Sequence, residues 1–180
     1  KVLIMSPRGD SLILIGMPGS GKSTIGIVLA KELVKNFVDT DLLIQEREGR
    51  ALQEIINSTD FQRLREIEEQ VLLSADFSSH VVATGGSVVY SKAGMERLRT
   101  QGRIVFLDVP LEELEQRVTN YAARGIAAPP GQTMTHLYDE RRTLYQHYAD
   151  ITIDCRGRSV QELVADIIYE TGEGYAEVDA

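Results

Sequence analysis

The sequence predicts a three-layer α/β/α sandwich around a parallel sheet of about five strands. The strand-like runs, such as Leu12-Ile13-Leu14-Ile15 and Arg103 to Asp108, are short and apolar without polar alternation. That is the pattern of strands covered on both faces. Stretches with helical period separate them, as crossovers between parallel strands require. The first run empties into a glycine-rich turn and then a helix, the opening of a βα unit.

The elements follow in order. Lys1 to Asp10 has no clear period, and Pro7, Gly9 and Asp10 form a turn before the first strand. A helix is predicted from Lys22 to about Val34, then a short strand ending at Phe37-Val38. Asp41 to Glu48 and Ala51 to Ile56 read as helices parted by Gly49. Asp60 to about Ser74 reads as a longer helix, with Phe61, Leu64, Ile67, Val71 and Leu72 on its apolar face. Val81-Val82-Ala83 is a strand, and Ser91 caps a helix that ends near Gly102. Pro110 opens another helix after the strand Arg103 to Asp108. Asn120 to Thr133, rich in Gly, Pro and Ala, reads as a mobile lid. A helix over Thr135 to His147 and a strand over Ile151 to Asp154 come next. Ser159 and Glu162 form a capping box for a last helix to about Glu170, and residues 171–180 read as a frayed acidic tail.

A chain of 180 residues with 43% hydrophobic content suits one domain over 1–180. Its formal net charge of −8 argues against a nucleic-acid partner and fits an anionic membrane poorly. No apolar run approaches the roughly 18 residues of a membrane span, and no signal peptide is evident, so a cytoplasmic protein is expected. Cys155 is the only cysteine, which excludes an internal disulfide and a thiolate zinc site. His80, His136 and His147 share no element at metal-ligand spacing. The small size suits a monomer.

Gly16-Met17-Pro18-Gly19-Ser20-Gly21-Lys22-Ser23-Thr24 matches G-x-x-x-x-G-K-[ST], the P-loop, without a gap. Gly16, Gly19 and Gly21 let backbone N–H groups approach phosphate oxygens, and the helix from Lys22 aims its positive end at the same anion. Lys22 can reach the β- and γ-phosphates of ATP, and the Ser23 hydroxyl can ligate Mg²⁺.

Asp39-Thr40-Asp41 follows the second strand, where open parallel sheets bind ligands. One carboxylate can serve Mg²⁺ through water and the other can orient a substrate hydroxyl. Asp41 can equally be the N-cap of the following helix. Arg65 and Glu68 lie three apart on one helix face, either a fixed fork for a carboxylate or an ordinary surface pair. Gly85-Gly86-Ser87 ends the third strand, a ligand approach or a plain turn.

The P-loop, the Asp-x-Asp, the R-x-x-E pair, the Gly-Gly turn and the later Glu140-Arg141-Arg142-Thr143-Leu144-Tyr145 occur in the order and spacing of the shikimate kinase family, which the chain resembles from Leu12 to about Ile168. The resemblance implies a P-loop sandwich with a mobile lid that moves the γ-phosphoryl of ATP to the 3-hydroxyl of shikimate. It implies that Asp41 contacts the ring hydroxyls and the attacking oxygen, and that Asp39 stands near Mg²⁺. Arg65, supported by Glu68, and Arg141 would bind the acceptor carboxylate, with Gly85 and Gly86 as the backbone wall. Arg124 would be the lid arginine at the transferring group, and Arg117 the arginine near adenine.

Four departures fall on the acceptor and lid side. Ser87 stands where the family has a third Gly. Gly125 follows Arg124 where Pro is usual, and Thr143 replaces a Pro. One extra residue before Arg65 makes Arg63 a rival for its role. A kinase for another polyhydroxy acid, of gluconate type, and a non-catalytic ATP-binding module are the alternative readings.

Overall fold

The computed structural model describes residues 9–117 and 131–173. Its sheet comprises β1 (Ser11–Ile15), β2 (Asn36–Asp39), β3 (His80–Ala83), β4 (Gly102–Asp108) and β5 (Ile151–Asp154), in the order β2-β3-β1-β4-β5. All four pairings are parallel. The central β1 is buried throughout, which explains its unbroken apolar run.

Helices fill the crossovers. α1 (Lys22–Leu33) links β1 to β2. Between β2 and β3 run α2 (Thr40–Glu48), α3 (Leu52–Ser58) and α4 (Phe61–Ser74). A 3₁₀ turn (Val88–Tyr90) and α5 (Lys92–Gln101) precede β4. α6 (Leu111–Arg117) and α7 (Met134–Tyr148) precede β5, and α8 (Val160–Thr171) closes the order. The chain leaves β1 toward β2 but leaves β3 toward β4, in the opposite direction. The crevice between the carboxyl ends of β1 and β3 is therefore the switch point where a ligand fits.

Capping fixes most helix starts. Asp60, Ser91 and Ser159 accept from the backbone N–H groups of Arg63, Gly94 and Glu162, and the capping box at Ser159 and Glu162 is present. Thr133 accepts from the His136 N–H at 3.3 Å, so α7 begins at Met134, one residue before the predicted start. The cap of α2 is Asp39, whose Oδ1 accepts from the Asp41 N–H at 3.0 Å. The alternative reading of Asp41 as that cap is thereby corrected: Asp41 sits in the first turn, where its side chain is free to face inward. Gly102 is the first residue of β4. A Cβ there would lie 1.9 Å from the Ser11 carbonyl oxygen, so glycine lets β4 close on β1. The 3₁₀ turn was not anticipated.

The main core packs the sheet against its helices, and a satellite core of Ile44, Ile55, Leu64, Ile67 and Val71 lies among α2, α3 and α4. Cys155, just past β5, is 1% exposed, and burial pushes its thiol up to about 12. No helix among the described residues is long and apolar enough to cross a membrane.

Candidate active site

The turn after β1 wraps tightly around itself. Gly16 has φ +150°, and a Cβ there would stand 2.9 Å from the Leu107 carbonyl oxygen, so no side chain fits. The Ser20 N–H donates to the Met17 carbonyl at 3.1 Å and closes the turn. Lys22 opens α1 and is buried. Its Nζ donates to the carbonyls of Gly16 (2.8 Å) and Met17 (2.9 Å) and to Ser20 Oγ (3.3 Å). Burial lowers its pKa to about 8, against the pull of Asp41 and Asp39 in the other direction. The ammonium is therefore still the main form at neutral pH. Ser23 and Thr24 are exposed on the next turn of residues, and Ser23 Oγ donates to Asp39 Oδ2 at 2.5 Å.

The facing half is built by α2, α4, α7 and the turn after β3. Burial raises the Asp41 carboxyl to about 6; Asp39 adds to the rise and Lys22 opposes it. Glu68, on the inward face of α4, is buried. Burial lifts it to about 7, while the hydroxyl of Ser87, which donates to Glu68 Oε2, holds it lower than burial alone would. Both carboxylates press on Gly85: a Cβ there would lie 2.3 Å from Glu68 Oε1 and 3.3 Å from Asp41 Oδ1. Thr40 Oγ1 accepts from the Gly85 N–H at 3.1 Å and fixes the turn from below. Gly86 is pinched between Pro18 of the first loop, 2.7 Å from its would-be Cβ, and Arg141 Nη1 at 3.2 Å. The Tyr145 hydroxyl, fully buried, donates to the Gly86 carbonyl at 2.6 Å.

Arg141 is 1% exposed, and its Nε donates to the Tyr90 hydroxyl at 3.4 Å. The Arg65 guanidinium lies 3.7 Å from the centroid of the same Tyr90 ring. Arg63, its rival in the sequence, points to solvent and pairs with Glu66 at 3.0 Å. Arg142, next to Arg141, turns elsewhere and makes a fork to both oxygens of Asp108, at 3.0 and 2.7 Å, which ties α7 to β4. Thr143, in the position of the family's proline, is exposed, and its Oγ1 donates to the Asp139 carbonyl within α7.

Both halves line one cleft of about 330 Å³. Of the predicted residues, Gly19, Gly21, Lys22, Ser23, Thr24, Asp39, Asp41, Gly85, Gly86 and Arg141 line it. Gly16 and Ser20 lie beneath as supports of Lys22. Arg65 is not among the residues that line the cleft; its guanidinium stands against the Tyr90 ring, whose hydroxyl meets Arg141. Arg117 stands outside on the P-loop, 3.5 Å from the Gly19 carbonyl and paired with Glu113. Arg124 lies outside the described residues, as do the lid expectation, but for residues 131–133, and the tail beyond residue 173.

Residue-by-residue reading missed three parts: the Ser87–Glu68 bond, the Tyr90 ring and the Tyr145 anchor. Ser87 reads in sequence as a lost glycine, yet it serves as the donor that a buried carboxylate needs. Ser87→Ala is expected to lower stability by about 1–3 kcal/mol at pH 8, where Glu68 is ionised. The loss should shrink at pH 6, where Glu68 holds its proton; urea unfolding at the two pH values measures the difference.

Chemically, the cleft offers an anion cradle with one buried ammonium at one end. Asp41 and Glu68 hold the middle, Asp39 stands beside Ser23, and the Arg141 guanidinium is at the other end. Residues 18–171 match the family model described as Shikimate kinase. The Shikimate kinase of Synechococcus elongatus is 37% identical over 171 residues, which are 93% of this chain and 89% of that relative. Among solved structures, the Shikimate kinase from Acinetobacter baumannii in complex with shikimate aligns with a TM-score of 0.80 at 27% identity, over 94% of this chain and 96% of that one. The Shikimate Kinase from Aquifex aeolicus gives 0.75 at 30% identity, over 88% and 94%.

Proposed function

The chain belongs to the shikimate kinase family, and from that premise we propose that its cleft transfers the γ-phosphoryl group of ATP to the 3-hydroxyl of shikimate. The observation that carries this reading is the convergence of a P-loop lysine, an inward Asp41 and a buried Arg141 on one cleft.

The nucleotide phosphates lie in the cradle of residues 16–24, with Lys22 against the β- and γ-phosphates. Exchanging its carbonyl partners for phosphate oxygens would keep the ammonium charged despite its burial. Ser23 and Asp39 supply adjacent hard oxygen donors, the kind that Mg²⁺ takes together with phosphate and water. Mg²⁺ held there would neutralise charge on the phosphate oxygens. Asp41 orients the acceptor hydroxyl and, being ionised above about pH 6, can take its proton as the O–P bond forms. Arg65 and Arg141 bind the acceptor carboxylate and set the line of attack, the positioning on which phosphoryl transfer depends. Arg117 flanks the nucleotide on the outer side of the loop. By the family resemblance, the charge on the transferring group is assigned to Arg124 and the exclusion of water to residues 120–133.

The test is coupled ADP release with Mg-ATP, with and without shikimate, beside gluconate and other hydroxy acids. A strong shikimate-dependent rate is expected. Turnover with another acid alone would move the acceptor assignment, and ATP binding without transfer to any acceptor would reduce the chain to a nucleotide-binding module.

A further inference from the structure

Two like charges that bind one carboxylate have to be held near each other, which their mutual repulsion opposes. Arg65 comes from α4 and Arg141 from α7, so no single element sets their spacing. Tyr90 touches both. Its ring centroid lies 3.7 Å from the Arg65 guanidinium carbon and 5.4 Å from that of Arg141. Its hydroxyl oxygen accepts from Arg141 Nε at 3.4 Å. The hydroxyl proton is spent on Glu140 Oε1, at 2.5 Å, so the oxygen lone pairs are left for the arginine. From the geometry we infer that Tyr90 is the positioning residue of the acceptor-carboxylate clamp: one phenol that fixes the spacing and orientation of both arginines.

An aromatic face is electron-rich, so a guanidinium that lies against it is held by cation–π attraction. That contact acts through the π face of Tyr90 and so does not call on the in-plane N–H groups of Arg65, the groups that bidentate carboxylate recognition uses. The phenol oxygen does for Arg141 what the ring does for Arg65. It fixes the Nε side of the fork and turns the Nη atoms toward Gly86, where one lies 3.2 Å from the would-be Cβ. Burial and Glu140 raise the phenol's pKa, so it remains a neutral donor to Glu140.

The turn that carries Tyr90 is itself pinned. The Tyr90 N–H donates to the Ser87 carbonyl at 3.0 Å, and Val88 and Val89 are each 2% exposed. Ser87 in turn holds Glu68 through its hydroxyl. The 3₁₀ turn therefore delivers a hydroxyl to one acceptor-side carboxylate and a ring to the arginines, three residues apart. This inference rests on the proposed reading of Arg65 and Arg141 as the acceptor clamp.

Its test is steady-state kinetics of shikimate-dependent ADP release for Tyr90→Leu and Tyr90→Phe, in the wild-type background and in Arg65→Ala. Tyr90→Leu is expected to raise the shikimate KM about tenfold, with the ATP KM unchanged and kcat within about twofold. Tyr90→Phe keeps the ring and should raise the shikimate KM only about threefold. In the Arg65→Ala background the effect of Tyr90→Leu should shrink to that of the lost hydroxyl contact, because the ring then has no Arg65 to hold. Tyr90→Met serves the same comparison if Tyr90→Leu does not fold. An unchanged shikimate KM, equal rises in both KM values, or the same fold-change in both backgrounds would overturn the inference. A wild-type enzyme with no shikimate response would overturn the functional reading itself, whereas an active wild type with an indifferent Tyr90→Leu overturns this inference alone.

Discussion

Lys22→Ala is expected to lower the turnover number for shikimate-dependent ADP release by about 10³-fold or more, the size of effect seen when a preorganised charge is removed from a developing anion. The fold should survive, as read from far-ultraviolet circular dichroism, because Lys22 packs at the mouth of α1 and not in the main core. Three contacts make the expectation specific. The ammonium is stored within the loop on the Gly16 and Met17 carbonyls and Ser20, one partner exchange away from the phosphates. Its charge then meets the charge that grows on the transferring group, which is why the loss should appear in kcat and not only in the ATP KM. Normal turnover in Lys22→Ala would remove the P-loop from the mechanism.

Asp41→Asn should lower kcat by about 10²- to 10⁴-fold while leaving the ATP KM close to wild type. The amide keeps the shape of the carboxylate but cannot accept a proton from the acceptor hydroxyl. In the wild type, activity should fall as pH drops through about 6, where Asp41 takes up its proton. Glu68, raised to about 7 and pressed on the same glycine, titrates with it, so the acid limb belongs to the pair. The stability effect has the opposite sense. The folded-state pKa of Asp41 lies above the ordinary aspartate value of 3.8, so between about pH 4 and 6 the folded state binds the proton more tightly than the unfolded chain. Its favourable contribution is present at low pH and is lost as pH rises through about 6. Asp41→Asn should therefore unfold at higher urea than the wild type at pH 7.5, and the gain should fade at pH 5. A variant that is both less active and less stable at pH 7.5 would mean that Asp41 is a structural residue.

What the sequence made legible was local. The P-loop is nine contiguous residues, and its chemistry is carried by the spacing of glycines and one lysine. The strands were readable because burial on both faces leaves no polar alternation, as in the wholly buried β1. Capping at Ser91 and Ser159 involves bonds that span three residues, so it too could be seen, while Asp60, read as the first helical residue, is the cap of α4. The choice between Arg63 and Arg65 was decidable in principle. Arg65 lies four residues after Phe61 and three before Glu68, on the side that turns inward, whereas Arg63 shares its face with Glu66. The cap of α2 stayed open at Asp41 and falls at Asp39, because both residues satisfy the composition rule and only backbone geometry separates them. The remaining parts join residues far apart in the chain. Ser87 meets Glu68 across 19 positions, and Tyr145 meets Gly86 across 59. No periodicity signals such contacts; they exist only once the sheet has set α4, α7 and the turn after β3 side by side.

The shielding of Cys155 has a practical consequence. A thiol that is 1% exposed and pushed up to about 12 offers almost no thiolate at neutral pH, and thiolate is the form that alkylating and disulfide reagents attack. The native chain is thus nearly silent to cysteine-directed labels. A cysteine placed on an exposed helix position such as Lys92, whose side chain is 83% accessible, would take up a fluorophore or spin label at that point without first stripping out the native sulfur. With no tryptophan in the sequence, a single engineered indole would likewise stand alone in the emission spectrum. The same packing that seals the end of β5 makes this enzyme a clean background for watching its own cleft by spectroscopy.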